Sequence, residues 1–254
     1  MQVNDFPVYI VVPTYNEAQN IPILLDEIFG LHLHNVNVLI VDDNSPDNTG
    51  AVAKTYAESK GFSVSILKRD RKSGLGTAYV EGFQKVIAQL SGREGFVVQM
   101  DADLSHDPKY IPEMIELLHE NDVTVGSRYY QGGGSDEEWG LYRKVLSEGG
   151  NKLIRFVSGL KVRDCTSGFK VYKSEVLKKI CWDRIHCVGF AFQVEIAMQC
   201  QSNGFRIREH PIMFNDRISG ESKMSASIIF EAILKITLLR FSSFRLGPRF
   251  WSNS

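Results

Sequence analysis

Cysteine is scarce in this chain. Four occur in 254 residues, at Cys165, Cys181, Cys187 and Cys200, and no pair has the C-x-x-C spacing of a zinc or redox site. They read as scattered reduced thiols. A charge excess is missing too: 29 Lys+Arg stand against 30 Asp+Glu. Nucleic-acid binding by global electrostatics needs a strong basic excess, so no nucleic-acid partner is expected. No stretch reaches the roughly 18 uncharged apolar residues of a membrane-spanning helix. A signal-peptide pattern is absent, because Gln2, Asn4 and Asp5 precede only a short apolar run. No Asn-x-Ser/Thr sequon occurs either, and both absences are compatible with a cytosolic chain. Neither a complete G-x-G-x-x-G nor a G-x-x-x-x-G-K-[ST] is present, which excludes the common dinucleotide and P-loop signatures.

What is there is an ordinary globular composition, 43% hydrophobic and 23% charged, long enough for one large α/β domain. Apolar runs at Val8–Val12, Val36–Val41, Phe62–Leu67, Phe96–Met100 and Val123–Val125 suit parallel strands covered on both faces. Helices fit between them at Asn20–Leu31, Thr49–Lys60, Leu75–Leu90 and Asp107–Glu120. Gly61 supplies a stop signal, and Asp107-Pro108 an N-cap followed by proline. Such βαβαβ order predicts a doubly wound, mostly parallel sheet with ligands at the carboxyl ends of its strands. Further helices are expected at Leu141–Ser158, Ser174–Ile180 and Phe190–Asn203, then a strand pair at Phe205–Glu209 and Ile212–Asn215. The glycine-rich, acidic stretch Gly132–Glu138 reads as a mobile loop. One catalytic domain, residues 1–224, is followed by a tail, residues 225–254.

In the tail, Ser225–Phe241 has helical period with a wide apolar face. Arg240, Arg245 and Arg249 then alternate with Phe241, Phe244, Phe250 and Trp251, and no acidic residue follows Glu231. Two readings stand: an amphipathic helix contacting a membrane surface, or a core helix with a frayed end.

The clearest chemical signal is Asp101-Ala102-Asp103, directly after the apolar run Phe96–Met100. Two carboxylates at the end of a buried strand are costly without a compensating cation. Mg²⁺ or Mn²⁺ accepts such oxygens and keeps sites for diphosphate oxygens. A turn with a helix cap is the alternative. Pro13-Thr14-Tyr15-Asn16-Glu17 ends the first run, where Tyr15 can pack beside a base and Glu17 accept ribose hydroxyls. After the second run come Asp42 and Asp43, either able to accept from a nucleoside, while Asp47 reads as a turn or cap residue. Lys68, Arg69, Arg71 and Lys72 read as a solvated charge run with phosphate contact as the alternative. Arg128 follows the fifth run, at the same rim. Arg217 and Lys223, within Arg217–Lys223, offer two cations suited to an anionic diphosphate leaving group.

Taken in order, PTYNE (13–17), VDDNSPDNT (41–49), GLGTAY (74–79), DADLSHDP (101–108), GSRY (126–129), SGFKVY (167–172) and DRISGESK (216–223) resemble the family-2 glycosyltransferases of the GT-A fold. Within that family the closest resemblance is to the dolichyl-phosphate (polyprenyl-phosphate) mannosyltransferases. The resemblance implies a GT-A, Rossmann-like fold with helices on both sheet faces and a C-terminal amphipathic helix. Its implied activity is transfer of mannose from GDP-mannose to dolichyl or polyprenyl phosphate, with inversion, giving a donor for glycosylation. Pro13, Tyr15, Glu17, Val41 and Asp43 are implied to hold guanosine. Asp101, Ala102, Asp103, Arg128, Arg217 and Lys223 are implied to meet the sugar diphosphate, with Asp103 the chief metal ligand. Asp101 and Ser105 complete the implied metal site, Ser105 standing where some members have Gln. Arg143 and Ser147 match positions for the acceptor phosphate. Members without transmembrane helices rely on small membrane-spanning partner subunits or sit peripherally. That implies a place on the cytosolic face of a membrane, the endoplasmic reticulum in a eukaryote and the cell membrane otherwise. Two rivals remain: a UDP-glucose:polyprenyl-phosphate glucosyltransferase, and a non-catalytic nucleotide-sugar-binding scaffold.

Overall fold

The computed structural model describes residues 6–135, 141–185, 187, 189, 191–214 and 233–240, with residues 135 and 141–145 described by their backbone alone. In its first half, strands β1 (Val8–Thr14), β2 (Val36–Asp42), β3 (Val64–Lys68), β4 (Phe96–Gln99) and β5 (Val123–Ser127) alternate with helices. The intervening helices are α1 (Asn20–Gly30), α2 (Thr49–Lys60), α3 (Leu75–Leu90) and α4 (Ile111–Glu116). After them come β6 (Gly134–Ser135), α5 (Leu141–Ser158), β7 (Lys170–Lys173), α6 (Ser174–Lys178), α7 (Ala191–Ser202), β8 (Ile207–Pro211) and β9 (Met213–Phe214).

The main sheet has the order β3-β2-β1-β4-β7-β5-β8. Strands β1 to β5 and β8 share one direction, and β7 runs against its neighbours β4 and β5. Both faces are buried, as the continuous apolar strands require. On one face Val8, Ile10 and Val12 of β1 pack with Ile21, Leu24 and Leu25 of α1 and Met114 of α4. On the other, Val11, Leu39, Val41 and Val97 pack with Phe83 of α3 and Phe192 of α7. Helix α3 lies unusually close to the sheet. A Cβ on Gly82 would stand 2.6 Å from Val11 Cγ1 and 3.0 Å from Val41 Cγ2.

Three expectations change. First, the Asp107–Glu120 helix is broken into a 3₁₀ turn at Pro108–Tyr110, then α4, then a second turn at Leu117–His119. Pro112 lacks the N–H that would carry a longer helix through this point. The Asp107 cap does form, its carboxylate accepting from Lys109 N at 3.0 Å. Second, β8 and β9 do not pair with each other: β8 adds in parallel to β5, and β9 pairs in parallel with β6. Only Ile212 separates them, too short a connection for a hairpin turn. Third, Lys170–Lys173 is a strand that the apolar pattern did not reveal, because Lys170 interrupts it.

Residues 233–240 are helical. Ile236 and Leu239 join the core beside Ile154 and Leu160, whereas Leu234 and Leu238 are exposed. Arg240 Nη1 donates to the carbonyl of Ser158, tying this helix to the end of α5. The rest of the tail lies outside the described residues. Among the described residues, no helix is long and apolar enough to cross a membrane.

Candidate active site

The sheet direction sets the site. The segments following β1, β2, β4 and β5 all leave at one edge, and the antiparallel β7 begins at that same edge. Five loops therefore converge where an open α/β sheet binds ligands.

The loops after β1 and β2 are stitched together. Glu17 N donates to Thr49 Oγ1 at 2.9 Å, Asn16 N to Ser45 Oγ at 3.2 Å and Ala18 N to Asp47 Oδ2 at 3.0 Å. Asp47 also accepts from Thr49 N, so of its two readings the turn holds, while Asn48 takes the N-cap position of α2. Pro13 and Val41 are buried at the strand ends, while Tyr15 stays exposed with Lys72 Nζ 3.7 Å from its ring centroid. Like Val41, Ala102 is buried. Glu17 Oε2 accepts from Asn20 Nδ2 at 2.7 Å, at the start of α1.

Asp43 is buried and paired with Arg69 Nη1. Arg69 also bonds Glu81 and Thr77, so it is a buried clamp joining this loop to α3. The solvated charge run expected there is thus corrected for Arg69, while Lys68, Arg71 and Lys72 are exposed. Burial pushes the Asp43 carboxyl up, and the Arg69 charge offsets this only in part.

The acidic pair follows β4. Tyr79, fully buried in α3, donates its hydroxyl to Asp101 Oδ1 at 2.8 Å. Asp101 N donates to His106 Nδ1 at 3.0 Å, and the His106 ring stacks on Phe169. Ser105 donates to Asp103 Oδ1 from both its backbone N and its hydroxyl, at 3.2 and 2.6 Å. Leu104 takes a left-handed conformation, φ 63°, which lets Ser105 turn back onto Asp103. One oxygen of each carboxylate is thus held by a neighbour. Two oriented carboxylates fit a Mg²⁺ or Mn²⁺ ion whose other ligands come from a diphosphate and water. Among the described residues, no cluster of three or more His, Cys, Asp and Glu forms a closed metal cage.

Arg128 is fixed by a partner that the motifs did not assign. Asp164, 1% exposed, accepts from Arg128 N, Nε and Nη2 at 3.0, 2.8 and 2.8 Å, and Thr166 Oγ1 takes a further bond from Nη2. Burial is the largest single influence and opposes ionisation of Asp164, but the Arg128 charge and the hydrogen bonds from Arg128 together outweigh it and hold the carboxyl below its usual range. The guanidinium lies against the rings of Tyr129 and Phe214. Tyr129 Oη meets Ser147 Oγ of α5 at 2.9 Å, which brings the expected acceptor residue Ser147 beside Arg128. Arg143 is described only by its backbone in α5. Arg217 and Lys223 lie outside the described residues.

Beneath the rim is a buried polar chain. Lys170 Nζ donates to Ser167 O at 2.5 Å and to Gln193 Oε1 at 2.6 Å. Gln99 Nε2 also donates to Gln193 Oε1, and Tyr172 Oη to Gln99 Oε1. Burial lowers the Lys170 ammonium to about 7. The unfolded chain keeps that proton up to about pH 10.4. Between those limits unfolding takes up a proton, so stability from this group rises with pH. The unfolding free energy of the native chain relative to Lys170→Met is expected to increase from pH 6.5 to 9.5 in urea titrations. A flat difference would show that Lys170 is charged throughout.

A doubly wound, mostly parallel sheet with an acidic pair at a strand end and a clamped arginine on the same rim defines an α/β architecture with one ligand edge. Residues 9–181 match Glycosyl transferase family 2, and the chain belongs to that family; it is a glycosyltransferase. It is 37% identical over 230 residues to the polyprenol monophosphomannose synthase of Mycolicibacterium smegmatis, covering 89% of this chain and 84% of that protein. Over 230 residues it is 38% identical to the undecaprenyl-phosphate mannosyltransferase of Micrococcus luteus, covering 91% and 92%. Among solved structures, mannosyl-3-phosphoglycerate synthase from Rubrobacter xylanophilus superposes with TM-score 0.68 at 16% identity, covering 96% of this chain and 76% of that one. The glucosyl-3-phosphoglycerate synthase of Mycobacterium tuberculosis, solved with Mn²⁺, UDP-glucose and phosphoglyceric acid, gives 0.61 at 15% identity, covering 98% and 82%. These likenesses establish the fold.

Proposed function

We propose that this chain transfers mannose from GDP-mannose to a polyprenyl or dolichyl phosphate, with inversion at the anomeric carbon. The observation that carries the proposal is 37–38% identity to two polyprenyl-phosphate mannosyltransferases over about nine-tenths of the chain. The convergence of Asp101, Asp103, Arg128 and Ser147 on one rim supports it.

In this proposal Pro13, Tyr15, Glu17, Val41 and Asp43 hold the guanosine, and Asp101, Asp103 and Ser105 serve the metal. The M. tuberculosis relative of the same fold binds Mn²⁺ with its nucleotide sugar, which supports a divalent cation here. Such an ion supplies positive charge to the diphosphate. Arg217 and Lys223 add to that charge, and Arg128, Arg143 and Ser147 align the acceptor. A phosphate monoester is largely ionised near neutral pH, with a second pKa of about 6, so no general base is required. Its oxygen forms the bond to the hexose C1 as the C1–O bond to the diphosphate breaks, and GDP leaves with the electron pair. The chain's own contribution is positioning and charge stabilisation.

Membrane contact belongs to the same proposal. Leu153 and Phe156 of α5 are exposed, Phe156 at 85%, and Leu234 and Leu238 are exposed on the helix tied to the end of α5. Residues 1–224 form the catalytic domain in this proposal, and residues 225–254 face lipid or a small membrane-spanning partner subunit.

Competition by GDP against UDP tests the donor base, and stereochemical analysis of the product tests inversion. The expected results are inhibition by GDP and a β-linked mannosyl phosphate. Preferential inhibition by UDP would favour the glucosyl rival, and an α-linked product would exclude direct displacement. Tyr79→Phe, which removes the hydroxyl bonded to Asp101, is expected to raise the metal requirement about tenfold with the fold retained. An unchanged metal titration would dissociate Asp101 from the cation.

A further inference from the structure

The buried chain under the rim contains one donor with no use so far. Gln193 is 2% exposed, and its Nε2 has no hydrogen-bond partner among the described residues. Its orientation follows from the groups it meets. Oε1 accepts from both Lys170 Nζ and Gln99 Nε2, so turning the amide over would set donors against donors. Nε2 therefore faces the other way, toward Gly168. A Cβ on Gly168 would lie 3.6 Å from Gln193 Nε2, 3.3 Å from Asp101 Oδ2 and 3.2 Å from His106 Cε1. The missing side chain leaves a small niche over Gly168, flanked by an amide donor and a carboxylate. A buried unsatisfied donor costs about 1–3 kcal/mol, so an acceptor that reaches it in the working state gains that much. A phosphate oxygen would be repelled by Asp101. A hydroxyl satisfies both walls, accepting from Nε2 and donating to the carboxylate.

We propose that Gln193 donates to a hydroxyl of the donor's hexose in the niche over Gly168, and so contributes to recognition of the sugar. This rests on the nucleotide-sugar reading of the site, but not on which hexose is used. Lys170 acts through Gln193, as a positioning residue that fixes its amide.

The test is calorimetric binding of GDP, GDP-mannose and a set of singly deoxygenated GDP-mannose analogues, with the UDP-glucose series in parallel. Gln193→Glu keeps an acceptor for Lys170 and replaces the amide donor. The wild-type protein is expected to lose affinity by about 10-fold or more for one deoxy analogue. Gln193→Glu should bind GDP normally and show no further penalty for that analogue. Gly168→Ala places a methyl group in the niche without touching Lys170. It should weaken the parent donor, and the same deoxy analogue should restore binding. Equal deoxy penalties in wild type and both variants would overturn the proposal, leaving only water at Nε2. If nucleotides bind but neither hexose adds affinity, the sugar contact fails while the nucleotide site stands. If neither nucleotide nor nucleotide sugar binds, the donor-site reading fails and the proposal with it.

Discussion

Asp103→Ala is expected to lower turnover by about 10³-fold or more while the protein remains folded. The side chain lies in a loop beyond β4, outside both core clusters. Its loss leaves the Ser105 hydroxyl without its acceptor, which costs on the order of 1 kcal/mol. The catalytic loss is larger because the carboxylate is proposed as the chief ligand of the cation that stabilises the departing diphosphate. Removing a single preorganised electrostatic contact at such a position typically costs about 10²–10³ in rate, and a metal supplies several such contacts at once. Initial rates of mannosyl transfer, with circular dichroism and thermal unfolding on the same preparation, check this. Near-normal activity would refute the metal assignment.

Asp164→Ala should damage both stability and catalysis. It leaves the Arg128 guanidinium buried with its main anionic partner gone. Breaking a buried ion pair in this way costs about 3–5 kcal/mol. Turnover should fall by about 100-fold, since the arginine proposed to align the acceptor phosphate loses three hydrogen bonds that hold it. The double variant Arg128→Met/Asp164→Ala separates the two effects, because contacting residues are not additive. It should regain much of the lost stability, with no unpaired charge left, yet recover none of the activity. Recovery of both would make the pair purely structural.

The fold was legible where both faces of a strand are apolar. Val8–Val12 and Val36–Val41 needed only their β-branched runs, and Gly61 marked the end of α2 by its left-handed conformation, φ 69°. The rim was legible because carboxylates directly after such runs are costly without a purpose. What stayed hidden depends on β7. Its four residues begin with Lys170, whose charge hides the strand, yet this antiparallel strand sends Asp164, Thr166 and Gly168 to the rim. Neither Asp164 nor Gln193 carries a local signal. Each is defined by a partner far away in sequence, Arg128 for one and Lys170 for the other. Tyr79 was visible in GLGTAY, but its bond to Asp101 arises only from the close packing of α3 on the sheet. Arg69 looked solvated because its neighbours are.

The most direct measurement is transfer of labelled mannose from GDP-mannose to a short-chain polyprenyl phosphate in detergent, with Mg²⁺ or Mn²⁺, and UDP-glucose run alongside. Lipid-extractable label from GDP-mannose that disappears with EDTA is the predicted result. Label from UDP-glucose alone would contradict the donor assignment, and donor binding without any lipid product, in detergent and in membranes alike, would contradict the transferase function.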